Sequence, residues 1–212
     1  MNSKSNMKIL FSILLVISIF SCNKVALDAD VNRLQNGDII FQTSTSAQSK
    51  AIQLATHSKY SHCGLIYKDI GGHYFVLEAI QPVTKTPLLK WIARGKDAHF
   101  VVKRLKDTSA LTPKALRKMK DVGTEMIGRN YDLYFEWSND RIYCSELIWK
   151  IYKQGTGLEI GHLQKLKDFD LHQLAVKQKL IERYGKNIPK EEKVISPSAI
   201  FYSNLLYTVI TE

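Results

Sequence analysis

The chain has 212 residues, 45% of them hydrophobic, and a formal net charge of +10. That length supports one domain with a real core, and that composition excludes a disordered, collagen-like or repeat architecture. The basic residues are scattered, with mild clusters at Lys114–Lys120 and Lys177–Lys193 and no interleaved aromatics. They read as a solvated face rather than a nucleic-acid surface, so nucleic acid is not an expected partner.

Residues 1–22 read MNSKSNMKILFSILLVISIFSC. Lys4 and Lys8 precede an uncharged apolar run from Ile9 to Phe20, too short to span a bilayer comfortably. The basic start, short apolar centre and small residue before a cysteine make a secretory signal. The ending Ile19-Phe20-Ser21-Cys22 resembles a bacterial lipobox, which implies lipidation of Cys22. The alternatives are a simple cleaved signal and an uncleaved anchor. The expected order is a lipoprotein signal peptide at 1–22, a polar tether at 23–33 and a single domain at 34–212. Removing the leader leaves a charge of +8, since it holds two of the basic residues and no acidic one.

Asn36-Gly37-Asp38 is a turn signal, and Ile39-Ile40-Phe41 starts a strand. Thr45 or Ser46 is expected to cap a short helix over Ala47–Thr56. Ser61–Tyr67 and His73–Ile80 are rich in β-formers, and Lys68–Gly72 joins them as a hairpin loop. Ala98–Leu105 is a third clear strand. The period then changes. Thr112-Pro113 is an N-cap followed by proline at the first helical position. Leu116, Met119, Gly123, Met126 and Ile127 share one face of the helix that follows, and Gly128 ends it. Asn139-Asp140 marks a turn. Cys144, Leu147, Ile148, Ile151 and Tyr152 recur at helical spacing until Gly155. A weaker helix covers about Leu171–Arg183, Ser196-Pro197 starts a short one, and Leu206–Ile210 reads as a last strand. Strands first and helices later define a single α+β domain.

Cys144 opens an amphipathic helix. The positive helix end and its free N–H groups favour a thiolate and lower a cysteine pKa. Its own N–H can face an oxyanion. Taken alone, Cys144 reads better as a small buried apolar side chain on the face of Leu147 and Ile148. A base changes that balance. If the loop is Lys68–Gly72, Tyr67 pairs with His73, Gly64 with Val76, and His62 falls directly opposite Glu78 on the same face of the sheet. A carboxylate there can orient the imidazole and stabilise its charged form. Glu78 is also a charge in an otherwise apolar strand, which needs a partner if buried. His62 and the adjacent Cys63 point to opposite strand faces, and no paired Cys/His spacing appears, so neither a metal nor another cofactor is expected.

Four segments resemble the YiiX/YebB-like permuted papain-like amidases, circularly permuted relatives of the NlpC-type cell-wall cysteine peptidases. They are Asn36–Phe41, Tyr60-Ser61-His62-Cys63-Gly64-Leu65, the Glu78 strand, and Gly128–Asp132 leading to Tyr143-Cys144-Ser145-Glu146-Leu147. Ile195-Ser196-Pro197-Ser198 matches the family's terminal segment. The specific mark is the order His, acid, Cys. The resemblance implies a papain-like core, with the cysteine helix packed on a small antiparallel sheet or barrel. It implies Cys144 as nucleophile, His62 as base, Glu78 as orienting residue and Tyr131 as an oxyanion contributor. Asp38 reads as a structural turn residue, and Cys63, where the family often has a plain aliphatic residue, reads as core filler. The expected function is an envelope-tethered cysteine hydrolase, an amidase or peptidase cleaving an amide or ester in cell-wall peptide or an acylated lipid. The rival readings are a lipid acyltransferase and a non-catalytic envelope-binding lipoprotein. Oligomeric state is not legible.

Overall fold

The computed structural model describes residues 31–212. The expected signal, the Cys22 lipidation site and residues 23–30 of the tether lie outside them. A compact unit runs from Gln35 to Glu212. Its strands are β1 (Ile39–Ser44), β2 (His62–Lys68), β3 (Tyr74–Glu78), β4 (Thr84–Pro87), β5 (Gly95–Leu105), β6 (Asn130–Tyr131), β7 (Arg141–Ile142), β8 (Gln164–Lys165), β9 (Lys193–Val194) and β10 (Leu206–Thr211). The helices are α1 (Ser49–Thr56), α2 (Leu88–Ala93), α3 (Pro113–Glu125), α4 (Cys144–Thr156), α5 (Leu174–Tyr184) and α6 (Pro197–Phe201).

One antiparallel sheet carries the fold, in the order β10-β5-β1-β2-β3-β4. It is open, with β10 and β4 as its edges, so the α+β class holds in its sheet form rather than as a barrel. Alternation along the strands sends Ile39, Phe41, Cys63, Leu65, Leu77 and Val101 into the main core with Met119 of α3 and Leu147, Ile148 and Ile151 of α4. Each such side chain, fully buried, contributes roughly 1.5–3 kcal/mol of transfer free energy. Ile40, Ile66, Val76 and Val102 are buried on the opposite face, where α2 packs against β5 and β3.

The helix ends follow their local chemistry. Thr112 Oγ1 accepts from Ala115 N ahead of Pro113, and Ser196 Oγ accepts from Ala199 N ahead of Pro197. α4 closes on Gly157 in the left-handed region, two residues beyond the expected Gly155. α1 departs from expectation. Its N-cap is Gln48, with no side-chain cap bond, instead of Thr45 or Ser46. Asp38 holds its turn by accepting from Gln35 N and is locked by Arg104 at 2.7 and 2.8 Å.

The β2–β3 register differs from the sequence count. Leu65 pairs with Leu77 and Lys68 with Tyr74, so the loop is 69–73 and the pairing slides by two residues. His62 is therefore not directly opposite Glu78. Asp69 draws the loop in by accepting from His73 N, which a count of β-formers does not register. A slide of two preserves the face, where a slide of one would have inverted it. His62 and Glu78 thus become diagonal neighbours, within reach of long side chains.

Gly64 makes that approach possible. A Cβ there would lie 2.2 Å from Val76 Cγ1 and 3.1 Å from the Leu77 carbonyl oxygen. Gly64→Ala is expected to cost about 1–3 kcal/mol by overpacking, read as a lower urea midpoint with an unchanged m-value. A midpoint equal to wild type would show that the sheet yields there.

Candidate active site

The site forms where the start of α4 meets the start of β2. Cys144 is the first residue of α4, behind the N-cap Tyr143, so its N–H has no acceptor within the helix. Glu146 ties this end down by accepting from Tyr143 N and pairing with Lys150 at 2.7 Å. Burial pushes the Glu146 carboxyl up to about 7, against the pull of Lys150. Tyr143 is itself held, its hydroxyl accepting from Ile195 N.

His62 opens β2, with Nε2 2.7 Å from Glu78 Oε2. Its ring stacks on Trp91 of α2 at 5.9 Å between centroids. With Nε2 engaged, Nδ1 is the nitrogen left for Cys144, whose sulfur is near enough to raise the His62 pKa. Glu78 is fully buried. It accepts from Thr86 Oγ1 at 2.5 Å and from one Arg94 nitrogen at 2.5 and 2.7 Å. To the His62 partner that the sequence supplied, the structure adds Thr86 and Arg94.

These contacts set the ionisation. Burial alone would depress the His62 pKa, but hydrogen bonds and charge from Cys144 and Glu78 outweigh it and raise it to about 9. Burial works to raise the Glu78 carboxyl, yet His62, Thr86 and Arg94 together hold it below its usual range. Cys144 falls well below an ordinary thiol, first through a hydrogen bond from the Cys63 side chain and then through His62. Burial pushes the Cys63 thiol up, so Cys63 stays protonated and donates. Cys63 belongs to the core as expected, and it also solvates the neighbouring sulfur. His62 and Cys63 are consecutive on β2, and both act on the Cys144 pKa. Both shifts run in the direction that favours a charged imidazole and an ionised sulfur.

Tyr131 lies in β6, which runs parallel to β7 with Tyr131 beside Ile142, two residues before Cys144. Its backbone N–H donates to Gln81 Oε1 at 2.6 Å. Burial, then the charge on Cys144, raises its phenol well above the usual value, so it is a hydroxyl donor here. Two cavities meet at the site. Cys144 lines one walled mainly by Ala51, Ile52, Ala55, Phe135, Leu166, Phe169, Leu171, Val176, Leu180 and Val194. His62 lines the other, a polar cleft with Gln42, Ser44, Ser46, Gln81 and Arg94. Gln48, Ile52, Tyr131, Lys179 and Arg183 border both.

Sequence reasoning missed Trp91, Arg94, Thr86 and Gln48. Thr86 and Arg94 flank α2, a helix too short for its period to show. Gln48 carries no signal except its position before α1.

An open antiparallel sheet with a cysteine helix docked on it, and the histidine and acid ahead of the cysteine in the chain, is a permuted papain-like arrangement. The chain belongs to the permuted papain-like amidase family YaeF/YiiX, C92, whose model matches residues 33–210. At that level it is a papain-like cysteine amidase. It is 49% identical over 178 residues to the uncharacterized protein YiiX of Escherichia coli K12, covering 84% of this chain and 87% of that one. A crystal structure of yiiX from Escherichia coli O157:H7 matches with a TM-score of 0.81 and 48% identity, over 85% of this chain and 98% of that one. That protein is described as a metalloprotein. Among the described residues here, no three or more His, Cys, Asp or Glu side chains are grouped to hold an ion.

Proposed function

We propose that the protein is an envelope-tethered cysteine hydrolase that cleaves an amide or ester bond in an acylated substrate. The acyl chain lies in the apolar cavity and the leaving group in the polar cleft. The observation that carries this reading is the His62–Glu78 hydrogen bond beside Cys144, with Cys144 lining a cavity whose walls are mostly apolar. A thiolate there meets a carbonyl whose hydrocarbon is already buried.

The Cys144 sulfur attacks the carbonyl carbon. The Cys144 N–H and the Tyr131 hydroxyl donate to the oxyanion. His62, held by Glu78, protonates the departing nitrogen or oxygen as the C–N or C–O bond breaks, leaving a thioester. Neutral His62 then takes a proton from water, whose oxygen attacks the thioester and frees the acid. An amine or alcohol in place of water gives acyl transfer by the same steps. The tether belongs to the same proposal: Cys22 carries the lipid, and Cys22→Ala abolishes incorporation of labelled fatty acid.

The test offers purified protein N-acyl amides and acyl esters of graded chain length beside wall-peptide fragments, with products identified by mass. The expected result is release of the fatty acid, rising with chain length. Cleavage of wall peptides with no action on acylated compounds overturns the substrate assignment and favours the peptidase reading suggested by the NlpC-type kinship.

An ion pair between Cys144 and His62 fixes a pH dependence. Acylation needs Cys144 as thiolate and His62 protonated. Since His62 is raised to about 9 and Cys144 is lowered, kcat/KM is expected to hold through neutrality. It falls as pH rises through about 9, and on the acid side only once the thiolate is protonated. The two apparent values belong to the pair. A profile rising through roughly pH 6.5, the ordinary imidazole value, would contradict a preformed ion pair.

A further inference from the structure

Gln48 bridges two side chains from distant parts of the chain. Its Nε2 donates to the Tyr131 hydroxyl oxygen at 3.1 Å, and its Oε1 accepts from Arg183 Nη2. Arg183 lies in the last turn of α5, which packs on α1, and its guanidinium stands 5.1 Å from the centre of the Phe135 ring. The direction of this chain follows from the chemistry of its members. An arginine has donors and no acceptor. The Gln48 oxygen must therefore face Arg183, and its NH₂ must face Tyr131. Tyr131 then accepts at Gln48, and its own proton is directed elsewhere. Tyr131 and Cys144 line the same cavity.

We infer that Arg183 and Gln48 are positioning residues that orient the Tyr131 hydroxyl as a donor to the oxyanion formed at Cys144. This deepens the proposed function and rests on it. Neither residue touches the reacting atoms; both act through Tyr131. Arg183 fixes the carboxamide, the carboxamide occupies the phenol lone pair, and the phenol proton is left for the oxyanion.

Gln48→Glu tests this, because it keeps the shape and strengthens the bond to Arg183 while removing the donor. A carboxylate only accepts, so the Tyr131 proton turns toward Glu at position 48 and away from the site. The readout is reversible inhibition by a fatty aldehyde, whose carbonyl carbon takes the Cys144 sulfur and whose oxygen becomes the oxyanion analogue. Gln48→Glu is expected to weaken aldehyde binding and lower kcat by about 10²-fold, the loss of one oxyanion donor, with KM nearly unchanged. Iodoacetamide alkylation of Cys144, which needs no oxyanion, keeps its wild-type rate. In a Tyr131→Phe background the same substitution adds nothing. A purely structural role predicts wild-type aldehyde affinity in Gln48→Glu, and that result overturns the inference. Full additivity with Tyr131→Phe overturns it as well. A wild-type protein that neither binds the aldehyde nor alkylates selectively at Cys144 brings down the proposed function and the inference together.

Discussion

Cys144→Ala and His62→Ala are each expected to remove hydrolysis, lowering kcat on the order of 10⁴–10⁶-fold, as when a nucleophile–base unit loses a member. The fold should survive both. Alanine at 144 deletes one sulfur from a site whose neighbours, Leu147, Ile148 and Ile151, stay packed. Removing His62 has a second consequence that separates an enzyme from a binding module. Cys63 and Cys144 are both free and buried, yet Cys144 lines a cavity, and its pKa is lowered where burial raises that of Cys63. A thiol-reactive acyl probe should label Cys144 and spare Cys63. In His62→Ala the preference should collapse, because the imidazolium that supports the thiolate is gone. Full activity in Cys144→Ala ends the hydrolase reading. Equal, slow labelling of both cysteines in the wild type supports the non-catalytic one.

Glu78→Gln should have the second largest effect, about 10⁴-fold in kcat, by analogy with loss of the orienting carboxylate in a triad. The substitution keeps the size of the side chain and removes its charge. His62 then loses the carboxylate that favours its charged form, and its pKa drops back. Cys144 loses part of its partner in turn, so alkylation at neutral pH slows as well. Stability should fall by only about 1–3 kcal/mol, the cost of a buried polar group with a spoiled partner, because Arg94 retains access to solvent on its outer side. Thermal melting and a pH–alkylation profile measured together check this. A variant that melts lower but alkylates and turns over like wild type would mean that Glu78 serves the fold and not His62.

What could be read beforehand depended on how local each feature is. The strand–loop–strand over His62 and Glu78 was legible because alternation and a glycine loop are both short-range signals. Its register was not, since the Asp69 side chain closes the loop one residue later than the count assumed. The face survived the error because the slide was even. The cysteine at a helix start was legible from the spacing of Leu147, Ile148 and Ile151. The stretch 81–97 stayed silent. Pro82 and Pro87 interrupt any pattern there, β4 is a four-residue polar edge strand, and α2 is six residues long. Trp91 and Arg94, which hold the base and its carboxylate, sit in or beside that stretch. Arg183 reaching Gln48 is a tertiary contact with no local trace.

The histidine and its carboxylate sit on one hairpin, sixteen residues apart, whereas the sulfur arrives on a helix much later in the chain. Until that helix docks, Cys144 is an ordinary thiol with a pKa of about 8.5, and it is mostly protonated at neutral pH. On the proposed mechanism, the nucleophile is thus armed by completion of the tertiary structure and disarmed by its loss. An unfolded or half-folded chain exposes a cysteine without exposing a reactive one.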